Sequence, residues 1–201
     1  MRKRLSRDER QRHLVRATLS AIHKYGFHDA TVLRIAEEAG LSGGNIHYHF
    51  KSKEELFAAA MRALMSDLSD LLVEQLAGAE TPLERLRATI GANLSERIFT
   101  EQTCFVWLQF WSETSRHEKL ARLERINAGR FRGTLVDALK QLVPAGEADA
   151  IAHELIALVD GLWIRKAQTG DALSPAQART IAFGYLDGRL QAAARPAPEA
   201  C

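Results

Sequence analysis

The chain has 201 residues, of which 46% are hydrophobic and 26% are charged. This composition supports a folded core and excludes global disorder, and the length suits one domain or a small domain fused to a larger one. The basic N-terminal residues lead into no apolar segment, so we expect no signal peptide. No apolar run approaches the roughly 20 residues that span a bilayer, so we expect no membrane partner. Cys104 and Cys201 form no disulfide framework, which fits a reducing cytoplasm.

Charge is distributed unevenly along the chain. Residues 1–53 hold 11 Lys and Arg against 5 Asp and Glu, a net of +6, whereas residues 54–201 hold 16 against 20, a net of −4. A basic N-terminal part on a mildly acidic body suits contact with a polyanion. The basic start, which includes Arg2, Lys3, Arg4 and Arg7, would add phosphate contacts that do not depend on sequence. Such residues also serve solubility alone, so charge supports nucleic-acid binding without establishing it.

Helical spacing of small and apolar residues continues through the chain, and no segment alternates like a strand. The chain is therefore predicted to be all-α, with about nine helices. The first runs from about Asp8 to Tyr25 and is expected to end at Gly26. Capping motifs predict later helix starts near Ser52, Thr81 and Ser174. Other helices are expected over residues 102–114, 118–142 and 147–169.

The segment from Thr31 to Leu56 predicts two short helices joined by a tight turn, followed by the start of a third helix. Gly40 tolerates the positive φ that a helix C-terminus commonly needs, and Ser42 suits the N-cap of the next helix. A turn of three to four residues is typical of a DNA-binding helix-turn-helix. The longer third helix begins at the capping box Ser52–Glu55 and is expected to continue into the body of the protein.

The second short helix has the chemistry of a helix that reads DNA. Ile46 and Phe50 lie four residues apart and anchor one face, which leaves hydrogen-bonding side chains on the outer side. Gly43 and Gly44 are poor helix formers but allow the backbone to approach another surface closely. Hydrogen-bonding side chains on the outer side of such a helix can contact base edges in a DNA major groove. An ordinary solvated helix explains the same residues, so both interpretations stay open at this point.

The same segment resembles the N-terminal domain of TetR-family transcriptional repressors. The shared motifs are Thr31, Ile35-Ala36, Ala39-Gly40-Leu41-Ser42, Tyr48-His49-Phe50 and Ser52-Lys53-Glu54-Glu55-Leu56. The resemblance implies that base edges meet Gly43, Gly44, Asn45 and His47, and that phosphates meet Thr31, Tyr48, His49 and Lys53. It also implies a helix-turn-helix DNA-binding domain over residues 1–53 and a helical ligand-binding and dimerisation domain over residues 54–201. Many relatives carry a tyrosine where this chain has His47.

The two C-terminal helices contain small residues that permit close approach of another helix. These are Ala152, Ala157, Gly161, Ala178 and Ala182. Pairing with their symmetry mates would give the four-helix interface that is usual in the TetR family, and such a homodimer would present two heads to a palindromic operator in double-stranded DNA. Packing within one chain explains the same residues.

All three tryptophans, Trp107, Trp111 and Trp163, lie in the body of the protein. The simple explanation of aromatic residues at helical spacing is a large core. The alternative is an aromatic cage, because indole faces attract quaternary ammonium groups by roughly 0.5–2 kcal/mol per contact. Asp160 lies near Trp163 and would complement a cation, whereas a buried carboxylate without a partner would be costly.

The body is similar to that of choline-sensing BetI-type repressors of glycine-betaine synthesis. The likeness covers GANLSE at 91–96, WLQFW at 107–111 and LVDGLWIR at 158–165. It implies an effector such as choline or a related trimethylammonium compound, bound by Asn93, Trp107, Phe110, Trp111, Asp160 and Trp163. The head differs from that branch at Asn45 and His47, so the operator need not be shared.

Other classes of function receive less support from the sequence. A catalytic or metal site is not expected, since His47 and His49 lie two apart on a helix and point about 200° away from each other. Cys104 has no evident histidine partner, the GLSGG segment lacks the lysine of a phosphate-binding loop, and no cofactor is predicted. Two alternatives to a choline sensor remain: a ligand-independent DNA binder with a filled aromatic core, and a TetR-family repressor of another pathway with a different hydrophobic or aromatic ligand.

Overall fold

The computed structural model describes residues 6–194, which contain nine α-helices and no strand. The all-α prediction is therefore confirmed. The helices are α1 (Arg7–Asp29), α2 (Val32–Glu38), α3 (Gly43–His49), α4 (Lys53–Leu76), α5 (Pro82–Asn93), α6 (Glu101–Glu113), α7 (Glu118–Leu139), α8 (Ala145–Thr169) and α9 (Pro175–Ala193), with a 3-10 turn at Gly170–Ala172. The expectations about Arg2, Lys3, Arg4 and Cys201 lie outside the described residues.

Short-range capping interactions begin several of these helices. Reciprocal capping boxes open α5, through Thr81 and Glu84, and α9, through Ser174 and Gln177, as the sequence predicts. At the start of α4 the pattern differs: the Ser52 hydroxyl accepts a hydrogen bond from the Glu55 amide at 3.1 Å. The Glu55 carboxylate, however, accepts from the amide of Lys51, at 2.8 Å, and the box is therefore shifted by one residue.

Helix α1 departs from the prediction at its C-terminal end. Gly26 has φ 80° and ψ 169°, so it interrupts the helix, and a further helical segment continues to Asp29. The expected end of the helix at Gly26 is therefore a break within it. The conformation of Gly26 lies in a region that is almost restricted to glycine. The expected positive φ at Gly40 is confirmed, at 62°.

The chain packs as two compact units. One comprises the described residues up to Ser66 together with Gln102–Arg125, and the other comprises Asp67–Glu101 together with the described residues from Ile126 onward. In the first unit, α1 packs on α2 and α2 on α3, around fully buried residues such as Ile22 and Leu56. In the second unit, α9 packs on both α5 and α8. The sequence predicts a boundary between the DNA-binding domain and the ligand-binding domain at residues 53 and 54. The packing units do not test this functional boundary, which stays a prediction.

None of the helices within residues 6–194 has both the length and the low polarity that would let it cross a membrane.

We expect Gly26→Ala to lower the free energy of unfolding by about 1–3 kcal/mol, because any side chain strains this backbone conformation. The added Cβ would lie 3.6 Å from Oε1 of Gln109, which is ordinary contact, so the cost comes from the backbone. Urea unfolding at one fixed protein concentration measures the change.

The control for this experiment is Gly129→Ala, in the helical interior of α7, where an added Cβ meets no heavy atom within 4 Å. This change should be neutral or should stabilise by up to about 1 kcal/mol. Equal effects of the two substitutions would show that the break at Gly26 does not require glycine.

Candidate functional site

Helices α2 and α3 form the expected helix-turn-helix. The Thr31 side chain accepts a hydrogen bond from the Arg34 amide at 3.3 Å and so caps α2. Ser42 occupies the N-cap position of α3 in an extended conformation, although its side chain makes no capping hydrogen bond. Ile46 and Phe50 are buried, as predicted, and they fix which side of α3 faces the protein.

The opposite side of α3 is open. Tyr48 is 73% exposed, and His47 and Gly44 are exposed as well. A Cβ placed on Gly43 or Gly44 would meet no heavy atom within 4 Å, so nothing in the described chain covers the start of the helix. The side chain of Asn45 is not among those that the structure describes. The exposed surface has the chemistry expected for contact with a DNA groove, and the individual contacts stay predictions.

His49 is half-buried, with its Nδ1 enclosed and without a hydrogen-bond partner among the described residues. Burial, followed by the charges of Arg7 and Arg10, lowers the pKa of the imidazole from its ordinary value. Both effects favour the neutral form of the ring. Since Nδ1 is enclosed, Nε2 is the nitrogen left for an external partner such as a phosphate.

Lys53 has an internal role that its sequence position does not indicate. Its Nζ donates to the carbonyl oxygens of Phe27, at 3.2 Å, and His28, at 3.0 Å, and lies 4.8 Å from the ring centre of Phe57. Burial lowers the pKa of this amine, with a smaller opposing effect of Asp29. An ammonium group has three N–H donors, so one is left for the expected phosphate contact.

The residues after the break in α1 are also held by α6. The amide of Phe27 donates to Oε1 of Gln109 at 3.0 Å. One helical turn further along α6, the carboxylate of Glu113 is 3.0 Å from Nε2 of His28 and 3.5 Å from Nε2 of His117. Sequence reasoning missed both Gln109 and Glu113. The only local signal was Gly26, which marks a special backbone position but does not identify its partners.

The aromatic residues expected to bind a ligand on α6 are mostly interior. Phe110 is fully buried and Trp107 is 2% exposed, whereas Trp111 is half-buried. The ring centres of Trp107 and Trp111 lie 6.0 Å apart, with their planes tilted by 41°. The ring of Phe110 packs edge-on against Phe27 at 6.1 Å. Core packing within the first unit accounts for Phe110, and a ligand-binding role for the three residues stays a prediction.

Three other residues expected to bind a ligand, Asn93, Asp160 and Trp163, belong to the second unit. Trp163, which is 4% exposed, donates from Nε1 to the carbonyl oxygen of Asn93 at 3.1 Å and packs edge-on against Phe99. The side-chain amide of Asn93 donates to the carbonyl oxygen of Thr89 at 3.0 Å. The structure thus brings Asn93 and Trp163 together, but through the Asn93 backbone rather than through its side chain.

Asp160 lies three residues before Trp163 on α8 and is half-buried. Burial raises the pKa of its carboxyl from 3.8 to about 6. Within residues 6–194, no hydrogen bond or ion pair joins this carboxyl to another group. The carboxylate therefore carries the cost of partial burial without an internal partner, which is the situation that a cationic ligand would relieve.

An open depression of about 430 Å³ lies elsewhere on the second unit, beside the 3-10 turn. It is lined by Ala172, Leu173, Ala176, Gln177, Thr180 and Ile181. It contains no charged side chain, no aromatic ring and none of the predicted ligand-binding residues. It therefore offers nothing that would recognise a quaternary ammonium group.

The small residues of α8 and α9 fall into two groups. Ala152, Ala178 and Ala182 are fully buried, so packing within one chain explains them. Ala157 and Gly161 are exposed. Other small or apolar residues of the two helices are exposed as well, namely Ile164, Ile181, Gly184, Tyr185 and Gly188. Exposed apolar and small residues at helical spacing on two helices are typical of a surface that pairs with a partner.

Two family models match the chain. The model for the C-terminal domain of BetI-type transcriptional repressors covers residues 82–191, and the model for bacterial regulatory proteins of the TetR family covers residues 14–60. Among curated relatives, the HTH-type transcriptional regulator BetI of Stenotrophomonas maltophilia is 37% identical over 186 residues, which is 92% of this chain and 95% of the relative. A BetI regulator of Chromohalobacter salexigens is 35% identical over 94% of each protein.

Solved structures of similar proteins have the same fold. A transcriptional regulator from Pseudomonas aeruginosa PAO1 superposes with a TM-score of 0.81 and 31% identity over 94% of this chain and 93% of that one. A regulator from Saccharomonospora viridis, solved in complex with choline, has a TM-score of 0.78 and 27% identity over 90% of this chain and 96% of that one. The chain belongs to the TetR family of bacterial transcriptional regulators and, within it, to the BetI-type repressors.

Proposed function

We propose that this protein is a homodimeric transcriptional repressor whose binding to operator DNA is modulated by choline or a related quaternary ammonium compound. Its target genes would be those of choline and glycine-betaine metabolism. Residues 1–53 would bind the operator, and residues 54–201 would bind the effector and form the dimer. The observation that carries the effector proposal is Asp160, a half-buried carboxylate that has no partner within residues 6–194 and lies three residues from a buried tryptophan.

The DNA-binding part of the proposal is supported by the open side of α3. Buried Ile46 and Phe50 hold the helix in the head, so His47 and Tyr48 face outward. We assign His47, Asn45 and the backbone at Gly43 and Gly44 to base edges. Thr31, Tyr48, His49 and Lys53 are assigned to phosphates, which position the helix but carry no sequence information.

The dimer is supported by the outward-facing small and apolar residues of α8 and α9. A Cβ added to Gly161, Gly184 or Gly188 would meet no heavy atom within 4 Å, so each position is open to a second helix. An isologous pairing of this surface would join two copies through four helices. The two reading heads would then match the two halves of a palindromic operator.

The effector is supported by charge and by aromatic surface. A quaternary ammonium ion has no N–H to donate, so it is recognised by a carboxylate and by ring faces rather than by directional hydrogen bonds. Asp160 would supply the negative charge, and Trp163 is the nearest predicted aromatic residue along α8. The choline complex of the Saccharomonospora viridis regulator and the BetI names of the curated relatives support the same class of ligand.

Two substitutions on α3 test the assignment of base and phosphate contacts. Tyr48→Phe removes only the hydroxyl of an exposed residue. It should therefore weaken binding to the operator and to nonspecific duplexes alike, by about 1–2 kcal/mol. His47→Ala should weaken binding to the operator by about 1–3 kcal/mol and leave nonspecific duplexes unaffected. Fluorescence anisotropy with an operator duplex and a scrambled duplex measures both effects.

The contrast between these two variants is the control. If Tyr48→Phe changed only the operator affinity, the tyrosine would be reading bases rather than a phosphate. If neither variant changed any affinity, the outer side of α3 would not be the DNA-binding surface.

A choline titration tests the effector proposal. We expect choline to change operator affinity at pH 7.5, and we expect Asp160→Asn to abolish the change, because the neutral amide supplies no charge. The carboxyl pKa is raised to about 6, so Asp160 is ionised at pH 7.5 and mostly neutral at pH 5. Choline affinity of the wild type should therefore fall as the pH is lowered, by roughly tenfold per unit below pH 6. Isothermal titration calorimetry measures this affinity.

Asp137→Asn, at an exposed position on α7, is the matched control and should behave as the wild type. Choline binding by Asp160→Asn with wild-type affinity would remove Asp160 from the site. A wild type that binds no choline would leave the family assignment intact and rule out choline as the effector.

A further inference from the structure

Phe27 and His28 follow directly after the break in α1, where the helix can no longer satisfy the backbone. Side chains from two other helices replace the missing partners. The amide of Phe27 donates to Gln109 of α6, and the carbonyl oxygens of both residues accept from Lys53 of α4. The ring of Phe27 also packs edge-on against Phe57, with 4.7 Å between ring centres. Two consecutive residues are thus fixed through backbone and side chain together.

Glu113 adds a charged contact to the same two-residue segment. It is only 3% exposed, and its carboxylate lies 3.0 Å from Nε2 of His28. Nε2 of His117 and a guanidinium nitrogen of Arg116 lie 3.5 and 3.8 Å from it. These three groups offset part of the cost of burying the carboxylate, although its Oε2 makes no hydrogen bond among the described residues. Gln109 and Glu113 are four residues apart on α6, so they present adjacent groups on one face of that helix.

We propose that Gln109 and Glu113 are positioning residues for DNA binding, which hold the end of α1 and thereby set the placement of the reading helix against α6. This inference rests on the proposed DNA-binding function. Only Ala30 and Thr31 separate α1 from α2, α1 packs on α2, and α2 packs on α3. A displacement of Phe27 is therefore passed to α3 through two short, packed steps.

The opposite side of α6 carries the tryptophans. Trp107 and Trp111 each precede a positioning residue by two places, and two residues on an α-helix are about 200° apart. One side of α6 thus carries the two tryptophans, and the other side carries the two residues that hold the end of α1. A shift or rotation of α6 would alter both sides together, which provides a route from the aromatic residues to the DNA-binding head within one packing unit.

Loss of positioning has a different signature from loss of stability. Base contacts require a closely set helix, whereas phosphate contacts tolerate small displacements and supply most of the nonspecific affinity. A mispositioned α3 should therefore lose operator affinity and keep affinity for nonspecific DNA. General destabilisation would lower both affinities equally. The ratio of the two affinities is the quantity that separates these cases.

The test uses the full chain and a duplex selected from a random pool by the wild-type protein, compared with a scrambled duplex. Gln109→Met has similar length but no acceptor for the Phe27 amide, so it should reduce the ratio of specific to nonspecific affinity by about tenfold, equivalent to one base contact. Gln109→Glu keeps an acceptor oxygen but places a second carboxylate one turn from Glu113, so it should recover part of the wild-type ratio. Glu113→Met should lower the ratio, and Glu113→Gln should recover part of it.

Gln102→Met provides the matched control, because it makes the same change at an exposed position of α6. It should leave the ratio unchanged. If Gln109→Met behaved like Gln102→Met, the inference would be wrong. No effector is added, so the result does not depend on whether choline is the ligand. A wild type that selects no duplex would instead overturn the proposed DNA-binding function.

A second measurement needs no substitution. The Phe27 amide is bonded to the Gln109 side chain rather than to a carbonyl of the helix. The rate at which this amide exchanges with deuterium therefore reports directly on that hydrogen bond. In the wild-type protein this amide should exchange slowly, and more slowly still when operator DNA is bound. Rapid exchange of Phe27 in both states would overturn the inference, even if the Gln109→Met variant failed to fold.

Discussion

The structure of the DNA-binding head depends on a single backbone constraint, the positive φ of Gly26. The break that it causes leaves the following amide and carbonyl groups without helical partners, and side chains of α4 and α6 bond them instead. Gln109 and Lys53 supply the hydrogen bonds, while Glu113 holds the neighbouring His28. Three helices therefore meet at one two-residue segment, and the position of the helix-turn-helix follows from that junction.

Helix α3 is exposed on one side and still well defined. Helix α3 has only seven residues, which is too short to be stable alone. Its position is fixed by buried Ile46 and Phe50 and by its packing on α2, so its outer side is not needed for packing. Leu33 of α2 is also 65% exposed, and its sequence gave no reason to expect this.

Local signals in the sequence were sufficient to predict the helices, but not the contacts that α4 and α6 make with Phe27 and His28. The boxes at Thr81 and Ser174 and the glycine at position 40 act over three or four residues, and the helix ends they predict lie close to the observed ones. The hydrogen bond from Phe27 to Gln109 spans 82 residues, and no periodic pattern encodes such a pair. The second role of Lys53 was hidden for the same reason.

The candidate ligand residues show a similar division. Helical spacing predicts that Asp160 lies near Trp163, since residues three apart share a face of α8, and the ligand-binding role of the pair stays a prediction. The sequence also indicated that a carboxylate there would need a partner, but only the structure shows that none of the described residues provides one. The hydrogen bond between Trp163 and the Asn93 backbone depends on how α5 and α8 pack, and this follows from tertiary structure rather than from either helix alone.

The proposed coupling between choline and operator DNA is tested most directly by its reciprocity. If choline changes the affinity for DNA by some factor, DNA must change the affinity for choline by the same factor, typically about 5–150-fold. The measurement is the choline dissociation constant of the free protein and of the operator-bound protein, by titration calorimetry at the same salt concentration. We expect two different constants, whose ratio equals the change in operator affinity at saturating choline. Equal choline constants with and without DNA would contradict a ligand-regulated repressor.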